Sequence, residues 1–298
     1  DLAHFEFVMR ALQGVRERHP EIADRLSLSL HCETAEIMSA YTKMVQEEGK
    51  LTGLTAYSAS RPPHSEGLAI TIASYLAHAT DLPTINLLHL TSAQAMEAAM
   101  TMAKAFPHID FRREVTLAHL LVDIDNGDPV GGKVNPPLRS RSDVEALWEH
   151  VLAGDIDWVV SDHACCKEEM KFGEDRDDIF LSKSGFGGAE YLLPGLFSEG
   201  RRRGLSEPAI ARLVSWNPAQ PYGFPDKGAI APGYDADIAL LDPDVTWTVN
   251  PEDSESQQEY SPLDGIEING AVTDVFLRGS RIVEGGKVVG EPRGVYVH

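Results

Sequence analysis

The chain has 298 residues, 43% of them hydrophobic, which is enough for a large α/β domain with a small second unit. Its formal net charge of -20 at pH 7 is unfavourable for binding nucleic acid, and no apolar run approaches the roughly 20 residues that a membrane-spanning helix needs. Three cysteines, two of them adjacent, suit a reducing compartment, so we expect a cytoplasmic protein. From the charge and the lack of a long apolar run, we expect neither a nucleic-acid nor a membrane partner.

Up to residue 162, short apolar runs typical of buried strands alternate with segments in which apolar residues recur at helical spacing. Ser92 and Ser142 are predicted to be helix N-caps, because a serine hydroxyl can accept from a free backbone N–H of the first turn. The predicted helices cover 2–18, 33–48, 66–80, 92–105 and 144–152; the predicted strands cover 26–31, 84–89, 111–120 and 158–162; and 53–63 and 123–137 are predicted loops.

Repeated strand and helix units of this kind favour parallel βαβ units, and four such strands make half of an eight-stranded barrel. Past Pro225 the pattern changes to short alternating runs separated by Gly and Pro, which predict a small β domain. The fold class is therefore α/β, with a barrel half over 1–225 and a β domain over 226–298.

Three of the predicted strands end in a residue that can bind a metal ion. His31, His89 and Asp162 follow apolar runs, and in barrel enzymes the chemistry gathers at the carboxyl ends of the strands. A single histidine there is usually structural, but two histidines with an aspartate favour a site for zinc or a similar divalent ion. A carboxylate beside such an ion can also carry a proton, which makes Asp162 the candidate catalytic residue.

Two further segments are candidates for binding a substrate. Two prolines after Asn135 restrict the backbone, so its side chain could present a donor and an acceptor to an amide edge, although a rigid connector remains the alternative. Ser184 and Gly185 begin a glycine-rich segment where a substrate could approach the main chain, a weak signal when taken alone.

Other polar residues are expected to have ordinary roles. By strand alternation His163 points away from the rim and is expected to be structural or to support a ligand. Packing or solvent-facing roles are expected for His64 and His119, and buried thiols for Cys165 and Cys166.

These residues carry a resemblance to the cyclic amidohydrolases, the family of dihydroorotases, hydantoinases (dihydropyrimidinases) and allantoinases. The similarity extends over nearly the whole chain, and the combination of motifs is specific although each is short. The matching motifs are Leu30-His31-Cys32-Glu33, Leu88-His89-Leu90-Thr91-Ser92, the segment from Lys133 to Arg139, Ser161-Asp162-His163-Ala164, Gly185 to Pro194, Lys227 to Asp237, and Ser261-Pro262-Leu263-Asp264-Gly265.

The resemblance implies a metal-dependent (β/α)8 TIM-type barrel flanked by a β-sandwich. It places His31 and His89 on one of two zinc ions and Asp162 on the other, with Asn135, Ser184 and Gly185 holding the ring of a small cyclic amide. It further implies that metal-activated hydroxide opens the ring, and by analogy that the protein is a homo-oligomer.

The chain departs from the family in one respect. The family takes a His-x-His pair from its first strand and a carboxylated lysine from its fourth, and no His-x-His occurs here. We therefore expect the four strands to be the fifth to eighth of the barrel, with the remaining ligands upstream of Asp1.

The substrate is the least determined feature of the sequence. Asn135-Pro136-Pro137 is most like dihydroorotases, yet Cys165-Cys166 stand where those enzymes carry Pro-His. Tyr260-Ser261-Pro262 is nearer to hydantoinases and allantoinases. Hydrolysis of a cyclic amide of the dihydroorotase or hydantoinase type is the leading hypothesis, and an allantoinase or a non-catalytic dihydropyrimidinase-like scaffold is the alternative.

Overall fold

The structure is a computed structural model that describes residues 2–297. Its first part is built on a parallel sheet in which four strands follow one another in chain order. The outer strands of this sheet, the first and the fourth, pair on one side only within the described residues. The strands are β1 (Leu28–Leu30), β2 (Thr84–Leu87), β3 (Asp110–Thr116) and β4 (Trp158–Val160).

The sheet is buried because helices cover it, as expected for parallel strands. All four residues of β2 are buried, and Ile85 and Leu87 are wholly inaccessible to solvent. The helices that alternate with these strands are α1 (Leu2–Arg18), α2 (Ala35–Glu48), α3 (Gly53–Ser60), α4 (Pro63–Ala79), α5 (Ala93–Ala105), α6 (Leu117–Leu121), α7 (Arg141–Ala153) and α8 (Glu168–Lys171).

Local sequence explains where most of these elements begin. The Ser92 hydroxyl accepts from the Ala95 N–H at 3.1 Å, which confirms the predicted cap of α5. Helix α7 is capped by Ser140 rather than by the predicted Ser142. Pro63 opens α4, where the missing N–H of a proline costs nothing.

Two predictions of local structure are wrong. Residues 53–63 contain helix α3, whose pattern is not amphipathic because apolar and small residues are buried on more than one side. The predicted strand over 111–120 ends at Thr116, whose hydroxyl accepts from the His119 N–H and caps the short helix α6.

The second part of the chain begins with helices and ends in an antiparallel sheet. Strands β5 (Ile238–Thr248), β6 (Glu267–Leu277), β7 (Ser280–Glu284) and β8 (Lys287–Val288) pair in that order. The sheet is joined to the barrel part through the helix at Leu192–Arg202, where the Ser198 hydroxyl accepts from the Asn269 N–H at 2.9 Å. The helices are α9 (Leu192–Arg202), α10 (Glu207–Ala211) and, after a π-helical turn at Arg212–Trp216, α11 (Asn217–Ala219).

Candidate active site

Two of the predicted metal ligands lie side by side at the ends of adjacent strands. His31 follows β1 directly and His89 comes two residues after β2, and the register pairs Leu30 with Leu87. The Nδ1 atom of His31 is 3.1 Å from the Nε2 atom of His89, and the rings meet edge to face. Two nitrogens bound to one zinc ion at about 2.0 Å lie about 3.3 Å apart, so this pair fits a shared ion.

The backbone is strained at two of the three predicted ligands. His89 has a φ of 36° and Asp162 a φ of 48°, and only two other non-glycine residues of 2–297 have positive φ. Such a conformation costs about 1–3 kcal/mol and persists where the surrounding structure imposes it, often at functional sites. The strain supports a functional role for both residues.

Asp162 lies two residues beyond β4 with an exposed side chain, close enough to act on His89 through its charge. Burial lowers the pKa of His89 to about 4, His31 adds to this, and the Asp162 carboxylate opposes it. Within residues 2–297 no three His, Cys, Asp or Glu side chains are close enough to hold a metal ion. The histidine pair by itself offers two nitrogens, fewer than the three or four protein ligands typical of a zinc site.

Glu33 determines which nitrogen of His31 is free. Its side chain is buried, and although burial raises its pKa, hydrogen bonds from His31 and Arg61 outweigh that effect and the pKa is lowered. An ionised carboxylate can only accept, so His31 Nε2 donates to it at 2.8 Å and Nδ1 keeps its lone pair for a metal ion. Glu33 belongs to the sequence motif around His31, but no local pattern predicts this supporting role.

A second buried carboxylate lies beneath His89. Glu114, on β3, accepts from the His89 N–H at 3.2 Å and from the Trp158 indole at 2.7 Å. Burial raises the pKa of Glu114 despite these two hydrogen bonds. The carboxylate connects the ends of three neighbouring strands, and this explains how the strained backbone at His89 is held.

The predicted ring-binding residues also come together. The Asn135 Oδ1 atom accepts from the Tyr57 hydroxyl at 2.5 Å and from the Ser184 hydroxyl at 3.1 Å. The Asn135 Nδ2 atom donates to no group of residues 2–297, so it remains available to a ligand carbonyl. Tyr57 was missed in the sequence, because it lies in the segment that was predicted to be a loop.

Gly185 has a different role from the one expected of it. Its N–H donates to the Lys133 carbonyl at 2.8 Å, and its carbonyl accepts from Lys171 Nζ at 2.7 Å. Its φ is 108°, and a Cβ here would lie 2.8 Å from the Ala164 carbonyl oxygen. Only glycine fits this position. The main-chain N–H and C=O of the neighbouring Ser184 form no hydrogen bond within the described chain, and these are the groups left for a ligand.

A continuous set of hydrogen bonds joins the two halves of the site. Arg61 donates to both oxygens of Glu33, at 2.9 and 2.6 Å, and to the Tyr57 hydroxyl at 3.2 Å. Since Glu33 holds His31 and Tyr57 holds Asn135, Arg61 ties the metal-binding side to the ring-binding side. Bidentate pairs of this kind fix geometry as well as charge.

The remaining polar residues mostly follow expectation. The His163 Nδ1 atom accepts from the N–H groups of Gly188 and Ala189 at 3.2 Å, a structural role that supports the glycine-rich segment. His64 is exposed. The prediction of buried thiols is wrong for Cys165, which is exposed, and only partly met by Cys166, because this segment runs over the surface after β4.

His119 provides a prediction about pH. It is buried, Nε2 donates to the Pro136 carbonyl, and burial lowers its pKa from 6.5 to about 3. Between pH 6.5 and 3, His119 is therefore protonated in the unfolded chain but neutral in the folded chain. The free energy of unfolding is highest above pH 6.5 and falls as pH drops towards 3. Between pH 7.5 and 5.5, urea unfolding is expected to show a loss in the free energy of unfolding that is about 1.4 kcal/mol larger in total than in His119→Gln, because only the pH unit below 6.5 contributes. Equal losses in the two proteins would contradict this.

No helix in residues 2–297 combines the length and apolar character needed to cross a membrane.

Known relatives match this chain over most of its length. The Amidohydrolase family profile matches residues 24–289. An allantoinase of Rubrobacter xylanophilus is 36% identical over 275 residues, and one of Salmonella newport is 33% identical over 273. These alignments cover 91% and 90% of this chain but only 59% and 58% of the relatives.

Solved structures of hydantoinases also superpose on most of this chain. The L-hydantoinase (dihydropyrimidinase) of Arthrobacter aurescens superposes with a TM-score of 0.87 at 27% identity, covering 98% of this chain and 62% of that one. The D-hydantoinase (dihydropyrimidinase) of a Thermus species gives 0.82 at 28% identity, covering 90% and 59%. The predicted half of a (β/α)8 barrel with a C-terminal β-sandwich segment is confirmed. The chain belongs to the amidohydrolase family.

Proposed function

We propose that the full-length protein hydrolyses a cyclic amide or ureide ring with the help of bound divalent metal ions. The observation that carries this proposal is the His31 and His89 nitrogen pair, 3.1 Å apart and joined through Glu33, Arg61 and Tyr57 to Asn135. Metal-binding and amide-recognising groups thus share one connected site, as a hydrolase of this class requires.

In the proposed centre, His31 and His89 hold one zinc ion and Asp162 holds a second. The remaining ligands, the family's His-x-His pair and carboxylated lysine, would come from residues outside these 298. A bound divalent ion lowers the pKa of water from about 15.7 to about 7 and polarises a carbonyl group. The buried Glu33 carboxylate would keep the His31 ring turned towards the ion.

The proton transfers fall to Asp162. Its carboxylate takes the proton of the attacking water while the water oxygen bonds to the ring carbonyl carbon. When the bond from that carbon to the ring nitrogen breaks, the same carboxyl returns the proton to the nitrogen. The single product carries a new carboxylate at one end and an open-chain amide or ureide at the other; one water is consumed, and the second water proton is released to solvent when the new acid ionises.

The ring-binding groups complement the edge of a cyclic amide. Such an edge presents an N–H and a C=O side by side, and the free main-chain groups of Ser184 offer one acceptor and one donor to it. The free Asn135 Nδ2 atom can donate to a second ring carbonyl, as in a ureide. Gly185 supports this edge through its backbone conformation rather than by direct contact.

Allantoin and hydantoins are the proposed substrates ahead of dihydroorotate. The relatives named allantoinase and hydantoinase favour this order. The exposed Cys165 and neighbouring Cys166 also favour it, since they replace the Pro-His of dihydroorotases.

Metal removal tests the proposal. Purified full-length protein is expected to open allantoin or hydantoin, to lose that activity after exhaustive dialysis against a chelator, and to regain it with zinc. Dihydrouracil and dihydroorotate serve as comparison rings in the same assay. Metal-free protein that retains full turnover would overturn the proposal, and a metal-bound protein that opens none of these rings would favour the scaffold alternative.

We also propose that the protein is a cytoplasmic homo-oligomer. Each chain would have two domains, with the boundary near residue 225. The second sheet starts at Ile238, which supports a boundary between 1–225 and 226–298. The cysteine content supports the proposed compartment.

A further inference from the structure

Two lysines are buried beneath the ring-binding segment without any acidic partner. Lys171 is wholly inaccessible to solvent and Lys133 is 6% exposed, and neither forms an ion pair in the described part of the chain. Long charged side chains are almost never fully buried unless paired. These ammonium groups therefore require an explanation, and the metal and proton chemistry described above does not use them.

Main-chain carbonyls take the place of a counter-ion at Lys171. Its Nζ atom donates to the Lys133 carbonyl at 3.0 Å and to the Gly185 carbonyl at 2.7 Å. The Lys133 carbonyl also accepts from the Gly185 N–H at 2.8 Å. One ammonium therefore holds together the two chain segments that carry Asn135 and Ser184.

Lys133 reinforces the same junction from the other segment. Its Nζ atom donates to the carbonyls of Ile179 and Ser182, at 2.8 and 2.6 Å, and lies 4.7 Å from the centre of the Tyr57 ring. The Tyr57 hydroxyl in turn donates to Asn135. Two buried ammonium groups thus hold the segments that carry the candidate ring-binding atoms.

We propose that Lys171 is a positioning residue that sets the separation between Asn135 and Ser184 and thereby the fit of the substrate ring. The inference rests on the proposed function only for the identity of the ligand. Lys171 touches neither ligand nor metal, and it acts by fixing Gly185, whose neighbour Ser184 presents its free main-chain groups. Burial lowers the pKa of Lys171 to about 8, because Asp128, which forms no ion pair with it, offsets only part of the cost of burying the charge.

The experiment compares Lys171→Met, which keeps the length of the side chain but removes its donors, with the wild-type full-length protein. Hydrogen bonds to a charged donor are strong, so exchange of amide hydrogens in residues 182–188 is expected to rise about tenfold to a hundredfold. KM for the ring is expected to rise by a similar factor while kcat stays within about threefold, since ring binding is lost equally in ground and transition states.

Lys167→Met is the matched control, because this lysine is exposed four residues away, and it should change neither readout. Lys171→Arg keeps the charge and the hydrogen-bond donors, so it should restore part of the exchange protection that Lys171→Met loses. It replaces Lys171→Met if that variant fails to fold. Unchanged exchange, or a fall in kcat at constant KM, overturns the inference. If the wild-type protein opens no ring, the proposed function fails, and the exchange measurement alone still decides whether Lys171 holds the segment.

Discussion

Replacing Asp162 by Asn is expected to lower kcat for ring opening by about 10²- to 10⁴-fold, the usual contribution of a positioned proton carrier. The amide cannot take a proton from water or return one to the leaving nitrogen. It keeps the size of the carboxyl and tolerates the positive φ of 48° at this position. Steady-state kinetics with allantoin or hydantoin, with metal content measured on the same samples, gives the result.

Asp81→Asn is the matched control, because Asp81 has a comparable φ of 54° and an exposed side chain, and it precedes β2, at the opposite end of that strand from His89. This variant should keep wild-type kinetics. If Asp162→Asn and Asp81→Asn behave alike, Asp162 carries no proton in the reaction, and the assignment from the strand end is wrong.

Replacing Arg139 by Met is expected to give the largest loss of stability. The guanidinium is 2% exposed and donates to the Thr91 hydroxyl at 3.0 Å, the Arg61 carbonyl at 2.5 Å and Glu66 at 3.5 Å. Burial raises the pKa of Glu66 to about 7, and the Arg139 guanidinium opposes this rise, so the carboxylate depends on the guanidinium to remain charged. Leaving the carboxylate alone should cost about 3–5 kcal/mol in the free energy of unfolding.

Urea unfolding at pH 8 measures this loss, and the double variant Arg139→Met with Glu66→Gln provides the control. Removing both charges leaves no unpaired ion, so the double variant should be more stable than Arg139→Met alone. A loss below about 1 kcal/mol in the single variant, or a further loss in the double variant, would show that the pair does not act as described.

The strands and the candidate metal-binding residues were visible in the sequence for one physical reason. Buried parallel strands are continuous apolar runs, so a polar residue at the end of such a run is easily recognised. His31 and His89 are residues of this kind, and the structure places them side by side. Asn135 was found because two prolines mark a fixed backbone beside it.

The supporting residues could not be found in this way, because their roles depend on contacts between distant parts of the chain. Arg139 and Glu66 are 73 residues apart, and Tyr57 and Asn135 are 78 apart. Tyr57 also lies in α3, a buried helix without amphipathic spacing. Gly185 stands out in the sequence as part of a glycine-rich segment, but its hydrogen bond with Lys171 joins residues that no local pattern connects.

The most direct measurement is X-ray absorption spectroscopy of zinc-loaded full-length protein beside the variants His31→Ala and His89→Ala. If His31 and His89 bind the ion, imidazole nitrogens are expected at about 2.0 Å from zinc, with fewer of them in each variant and a weaker affinity for one of two ions. Spectra and metal content that are the same in all three proteins would contradict the assignment of His31 and His89 as ligands of a shared metal ion.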